Sequence, residues 1–327
     1  MRHHFLSVWT SILLLTGDMG STHGIILRRP WSAAGRAAAG ELIGALHHAG
    51  GLFRAAPAVS LDDLANVRVP VADGVEVQAF VARPNEPSAD DPAPVLLLIH
   101  EFFGLSSSIV AKATSLSAEL GCVVVAPDTF RGETPTFIPR CIWLALTTPQ
   151  SRVNDDLDAV LAWCEQEPDI DPNNLAAMGF CCKLHVVFCN NLAIPDVRSS
   201  SSLCLFLSLI SIDGGGKAIR YTSERRPSAA TVVCYGSPLT DAAQLRRLTA
   251  PVCGVFGAQD AQFPPPVLAA FRNALREAGV ASDVRVYDGV GHAFWKDMGP
   301  VERGEPGPVL ETWRQVTAFL REHYEIK

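Results

Sequence analysis

The chain has 327 residues, 48% of them hydrophobic and 19% charged, with a formal net charge of −7. That apolar content supplies a buried core and excludes an intrinsically disordered chain. The acidic balance excludes nucleic acid as a partner, because no basic stripe exists to neutralise phosphates. Nine cysteines are scattered without the spacing of a zinc site or the density of a disulfide scaffold, so most read as small core residues.

Residues 1–60 read as an address. Arg2-His3-His4 precedes the apolar stretch Phe5 to Thr16, which has the length of a signal-peptide core and is too short to span a bilayer. From Ile25 to Ser60 the chain carries Arg28, Arg29, Arg36 and Arg54 against the single acid Glu41, a transit-like composition. The two parts together resemble the leader that directs proteins to plastids of secondary origin. Secretion, a mitochondrial leader, or a cytoplasmic protein with a packed N-terminal helix are the alternatives.

From residue 61 the pattern becomes structural. Val67 to Val71 and Val75 to Val81 alternate around Asp73-Gly74, which predicts a hairpin. Val95 to Ile99 is a continuous apolar run of the kind buried in a parallel sheet. Helix-like and strand-like stretches then alternate through Ile109–Leu120, Cys122–Ala126, Val153–Cys164, Leu175–Met178, Thr231–Tyr235, Val252–Phe256, Pro265–Ala278, Val284–Tyr287 and Val309–His323. The alternation predicts an α/β fold, a mostly parallel sheet with helices on both faces. With the leader and the stretch 182–213 set aside, about 240 residues remain for one domain over 61–327.

In such a sheet, chemistry collects where strands end. Cys181 follows the strand-like Leu175–Met178, Asp260 ends the run Val252 to Asp260, and His292 follows Val284–Tyr287 within Gly289-Val290-Gly291-His292. A lone cysteine after a strand is usually core, and a Gly-x-x-Asp is often a turn. The chain order nucleophile, acid, histidine is, however, that of an α/β-hydrolase-type sheet. Read so, Cys181 attacks a carbonyl, His292 is the base, and Asp260 orients it.

Gly179-Phe180-Cys181-Cys182 reads as half of a nucleophile elbow, a turn that needs small residues on both sides of the nucleophile. Lys183 stands where a glycine is wanted, and the glycine-led stretch Gly214-Gly215-Gly216 comes only later. The intervening residues 182–213 are intelligible as codons. Cys182-Lys183 can encode GTAAR, a usual intron start, and Ser199 to Ile210 draws on pyrimidine-rich codons. Ile212-Asp213 can supply a terminal AG. Removing that stretch joins the flanks through one tyrosine codon and restores Gly-Phe-Cys-Tyr-Gly-Gly-Gly. The segment is therefore expected to be translated intron. The alternative is a genuine lid or surface insertion, although long unstructured loops are uncommon within compact domains.

From about Val67 to the C-terminus, the insert excepted, the chain resembles the dienelactone hydrolase family. The resemblance is carried by Gly179-Phe180-Cys181, Gly257-Ala258-Gln259-Asp260 and Gly291-His292-Ala293-Phe294. His100-Glu101-Phe102-Phe103-Gly104 and Pro127 to Gly132 resemble further family segments. It implies a cysteine-dependent ester or lactone hydrolase acting through an acyl-thioester, with Glu101 facing the resting thiol. It also implies an oxyanion hole from the backbone N–H groups of Phe102 and Cys182. No cofactor or metal is implied, and the partner is a small-molecule ester or lactone. A monomer without a membrane span is expected. Arg131 and Arg140 are candidate substrate anchors by loop position alone, so the family's acidic substrate does not carry over. A catalytically silent binding protein is the alternative if the insert displaces an oxyanion donor.

Overall fold

The computed structural model describes residues 59–72, 74–85, 89–101, 103–133, 144, 147–181 and 214–324. Nearly all of the leader, Phe102, Arg140 and the segment 182–213 fall outside the described residues.

Eight strands form one sheet: β1 Val67–Pro70, β2 Glu76–Ala82, β3 Ala93–Ile99, β4 Val123–Pro127, β5 Ile170–Phe180, β6 Ala230–Cys234, β7 Val252–Gly257 and β8 Ser282–Tyr287. Their order is β1-β2-β4-β3-β5-β6-β7-β8. β1–β2 and β2–β4 are antiparallel and the other pairings parallel. The expected hairpin is β1–β2, closed through Gly74 at φ 79°, a conformation glycine adopts without a steric penalty. Central β4 and β6 are buried at every position, which is why they read as unbroken apolar runs. β5 begins at Ile170, earlier than its apolar run predicts. Asp171-Pro172-Asn173-Asn174 has turn composition, yet Asp171 pairs with Pro94 across a register shift between Pro94 and Val95.

Five longer helices cover the sheet: α1 Ser107–Leu120, α2 Gln150–Cys164, α3 Gly214–Arg225, α4 Pro265–Ala278 and α5 Pro308–His323. Their ends follow local chemistry. Ser106 Oγ accepts the Ile109 N–H at the start of α1, and Gly121 ends it at φ 61°, while α4 opens on proline and closes on Gly279 at φ 74°, the usual asymmetry of helix ends. One face of the sheet, with Leu96, Leu98, Val124 and Met178, packs on α1 and α5 through Leu116, Trp313 and Val316. The opposite face, with Val95, Leu97, Val125 and Ala177, packs on α2 and α3 through Leu157, Val160 and Tyr221. Helices therefore lie on both faces, as the alternation predicts. Among the described residues no helix is long and apolar enough to cross a membrane.

Two relationships position the site. β4 lies on one side of β3 and β5 on the other, so the chain changes winding direction here and leaves a crevice at the carboxyl ends of these strands. Ile99 pairs with Gly179. Glu101 and Cys181, each two residues further on, therefore leave adjacent parallel strands at the same level. At the other end of the sheet, Tyr324 Oη donates to the Val95 carbonyl at 2.7 Å and His323 Nε2 to that of Leu175 at 3.0 Å. Val95 and Leu175 are themselves partners, so the end of α5 is tied to the first halves of both central strands.

Candidate active site

Asp260 and His292, the expected acid and base, meet at the ends of β7 and β8. Asp260 Oδ2 lies 2.7 Å from His292 Nδ1, and Asp260 Oδ1 accepts the backbone N–H groups of Gln262 and Phe263 at 2.8 and 3.2 Å. Both side chains are buried. A carboxylate holding two N–H donors on one oxygen is an acceptor on the other, so Nδ1 carries the proton and donates. Nε2 is left as a lone pair, buried and without a hydrogen-bond partner. That is the tautomer of a general base.

Glycines explain why these loops can approach. A Cβ on Gly257 would stand 2.5 Å from the carbonyl oxygens of both Val290 and Gly291, so only glycine allows the end of β7 to abut the loop carrying His292. Gln259 N–H donates to the Val290 carbonyl at 2.9 Å, which fixes the two loops together. Ala293 takes a left-handed φ of 51° and turns the chain sharply after the histidine. Tyr235 and Phe263 meet the His292 ring at centroid separations of 5.7 and 5.6 Å.

Cys181 ends β5 and is buried. The preceding Phe180 ring lies 6.1 Å from Tyr235, whose ring also meets His292, so one aromatic residue bridges the segment carrying Cys181 and the histidine. The small-residue requirement of an elbow is met from across the insert. A Cβ on Gly179 would overlap the Gly214 carbonyl and stand 2.6 Å from the Gly215 nitrogen, and one on Gly214 would stand 2.5 Å from the carbonyl oxygens of Ile99 and His100. α3 thus starts wedged against the ends of β3 and β5. Cys182, the expected second oxyanion donor, lies outside the described residues, as does Phe102, the first.

Glu101 is half-buried. Burial pushes its carboxyl upward, and the nearby Lys112, then His292, act in the opposite direction. The preceding His100, not foreseen as part of the site, is buried and anchors this loop. Its Nε2 accepts the Thr129 N–H at 3.0 Å, which leaves the proton on Nδ1 to be donated to the Glu101 carbonyl at 2.7 Å. Burial, then the Lys217 charge, hold the His100 pKa down to about 3, so the ring is neutral. Lys112 also escaped the sequence reading, although its helical spacing from Ile109 and Leu116 places it on the buried face of α1.

Arg131 is committed elsewhere. Its Nε donates to both oxygens of Asp156 at 3.0 and 3.2 Å and its Nη2 to Oδ1 at 2.6 Å, and the Asp156 side chain is wholly buried. Loop position alone suggested a substrate anchor, but the guanidinium makes a fork onto a core carboxylate of α2. Between α1 and α5 a groove of about 630 Å³ opens beside Glu119, Trp313 and Arg321; Glu101, Cys181, Asp260 and His292 do not line it.

A sequence model of the Dienelactone hydrolase family matches residues 77–192 and 213–324, leaving out most of the expected insert. A protein of Methylorubrum extorquens named "Putative carboxymethylenebutenolidase" is 27% identical over 262 residues, covering 79% of this chain and 80% of its own. An Escherichia coli K12 protein of the same name is 27% identical over 234 residues, covering 70% and 77%. Among solved structures, "Putative Dienelactone Hydrolase" of Klebsiella pneumoniae superposes with a TM-score of 0.59 at 23% identity, over 78% of this chain and 97% of that one.

Proposed function

The chain belongs to the dienelactone hydrolase family, and on that premise we propose that it hydrolyses small carboxylic esters or lactones through a Cys181–His292–Asp260 triad. The observation that carries this reading is the Asp260–His292 hydrogen bond with Nε2 unspent, at strand ends shared with Cys181. As the Cys181 Sγ–carbon bond forms at the substrate carbonyl, His292 Nε2 takes the thiol proton and the carbonyl oxygen takes the negative charge. The backbone N–H of Phe102 and that of the residue after Cys181 stabilise this oxyanion. The tetrahedral adduct collapses as the alkoxide leaves, protonated by His292, and an acyl-thioester remains. His292 Nε2 then takes a proton from water, the hydroxide attacks the thioester, and the thiol is released. Asp260 holds the ring and stabilises the imidazolium at both steps. Because Arg131 is spent on Asp156, this reading does not include an acidic substrate. The silent binding protein is favoured only by the start of α3 at Gly214, far along the chain from Cys181.

Iodoacetamide mapping at pH 8 followed by p-nitrophenyl acetate turnover tests the reading. Burial pushes the Cys122 and Cys164 thiols up to about 12 and raises those of Cys234 and Cys253, so of these five cysteines Cys181 alone should be alkylated quickly. Cys181→Ala should abolish turnover and His292→Ala should slow both reactions. Rapid turnover by a folded Cys181→Ala protein would overturn the assignment.

A further inference from the structure

Tyr235 is the first residue past β6, and the triad chemistry gives it no step. Its side chain is wholly buried, its N–H donates to the Val255 carbonyl at 2.7 Å, and its backbone is left-handed at φ 42°. An aromatic residue rarely adopts that conformation, which persists only where the surroundings over-determine it. The chain turns here to set Gly236 against the start of α3, where a Cβ on Gly215 would stand 2.9 Å from the Gly236 Cα. Glycine would make such a turn without strain, so the position is explained by its side chain. The Tyr235 ring meets those of Phe180, His292 and Phe294 at centroid separations of 6.1, 5.7 and 5.7 Å, and its Oη donates to the Trp295 carbonyl at 3.3 Å, a long bond. Cys181 comes directly after Phe180, and Phe294 and Trp295 closely follow His292. One side chain thus stands between the segment of the proposed nucleophile and that of the proposed base.

The surroundings of that side chain are fixed. Lys112 Nζ stands 5.2 Å from the Phe180 ring centroid and 5.9 Å from that of Trp295, and it donates to the Lys296 carbonyl at 3.2 Å, so both segments are fastened to α1. The imidazole itself hangs from Asp260 by the bond at Nδ1, which places that nitrogen and leaves the ring plane free to swing about it. Phe263 restrains the swing while leaning on Phe256 of β7; Tyr235 restrains it against the segment of Cys181. We propose that Tyr235 is a positioning residue: its ring, wedged at the end of β6, is the spacer that sets where His292 Nε2 points relative to the Cys181 thiol. It acts through His292 and exchanges no proton or bond with substrate. This role rests on the reading of Cys181 and His292 as nucleophile and base.

The test is alkylation of Cys181 by iodoacetamide at pH 8 in the full chain, followed by peptide mass, beside p-nitrophenyl acetate turnover. Tyr235→Leu keeps an apolar side chain and removes the spacer, so both reactions should slow about tenfold or more, the order expected when reacting groups are misaligned. The loss in turnover should fall on kcat, with KM nearly unchanged. The sign of the alkylation change separates positioning from packing, because a protein that is merely looser would expose the thiol and react faster. Tyr235→Phe keeps the ring and gives up only the long bond to Trp295, so it should restore most of both rates. A folded Tyr235→Leu protein alkylated as fast as wild type, or faster, overturns the role of Tyr235 alone, and so does a Tyr235→Phe protein as slow as Tyr235→Leu. Cys181 inert in the wild type overturns the nucleophile and the role together. If Tyr235→Leu does not fold, Phe294→Leu removes a ring that Tyr235 leans on: slower alkylation supports the spacer, and an unchanged or faster rate overturns it.

Discussion

Gly179 and Gly214 lie backbone against backbone, although the whole segment 182–213 runs between them: a methyl group on the first would overlap the carbonyl of the second. β5 and α3 are fitted as they would be in an uninterrupted elbow. Replacing Cys182 through Asp213 with one tyrosine should therefore keep this contact, raise the soluble yield, and increase p-nitrophenyl acetate turnover. Purified yield and initial rates of the two chains check it. A full-length protein that is better folded and faster than the shortened one would make the segment a working lid.

Asp260→Asn should fold and lose turnover by about 10⁴-fold, the order seen when the equivalent acid of a serine triad is changed. The asparagine oxygen can keep the Gln262 and Phe263 N–H groups, so its amide then points N–H groups at His292 Nδ1. That ring nitrogen must become the acceptor, the proton moves to Nε2, and the base is lost. Steady-state rates beside a circular-dichroism spectrum decide it, and near-normal rates would mean that another carboxylate orients His292.

The pair His100 and Asp128 should tilt stability with pH in opposite senses. His100 has its pKa lowered from 6.5 to about 3, so its contribution is present above pH 6.5 and is lost as the pH falls toward 3. Burial raises Asp128 from 3.8 to about 6, so its contribution is full below 3.8 and is lost as the pH rises through 6. Between about pH 4 and 6 the two oppose, each by at most about 1.4 kcal/mol per pH unit. Relative to wild type, His100→Gln should gain stability on acidification through that window and Asp128→Asn should lose it. Urea unfolding at three pH values measures both slopes, and parallel profiles for all three proteins would refute both contributions.

Arg131→Ala should cost about 3–5 kcal/mol of stability, because it strips a buried carboxylate of its fork-shaped partner. It should leave the ratio of KM values for a neutral and an acidic ester unchanged. A selective rise in KM for the acidic ester would return the guanidinium to substrate binding.

The strands and the triad candidates were legible because they obey local rules. Buried parallel strands such as β4 are apolar throughout, and Cys181, Asp260 and His292 each follow such a run beside glycine. The other features depend on partners remote in sequence. Asp171 to Asn174 looks like a turn, yet it lies within β5, paired with β3 at Asp171 and again from Leu175 across a register shift. Arg131 has the loop position of an anchor, and only the approach of α2 reveals Asp156. Lys112 reads as an ordinary helix-surface cation until the spacing of its apolar neighbours is weighed, and nothing local places Phe180 and Trp295 around it.

The ties from Tyr324 and His323 to Val95 and Leu175 bear on how the chain is made. β3 and β5, which present Glu101 and Cys181, are among the earlier strands to leave the ribosome, but their far ends are fastened by residues near 324. A nascent chain can thus have every proposed catalytic residue in the open while its central strands still lack their clamp, and nonsense or frameshift lesions beyond His292 would leave it in that condition. Such a product would keep the proposed nucleophile and lose the frame that confines it, making it a target for oxidation and proteolysis more than a slow enzyme.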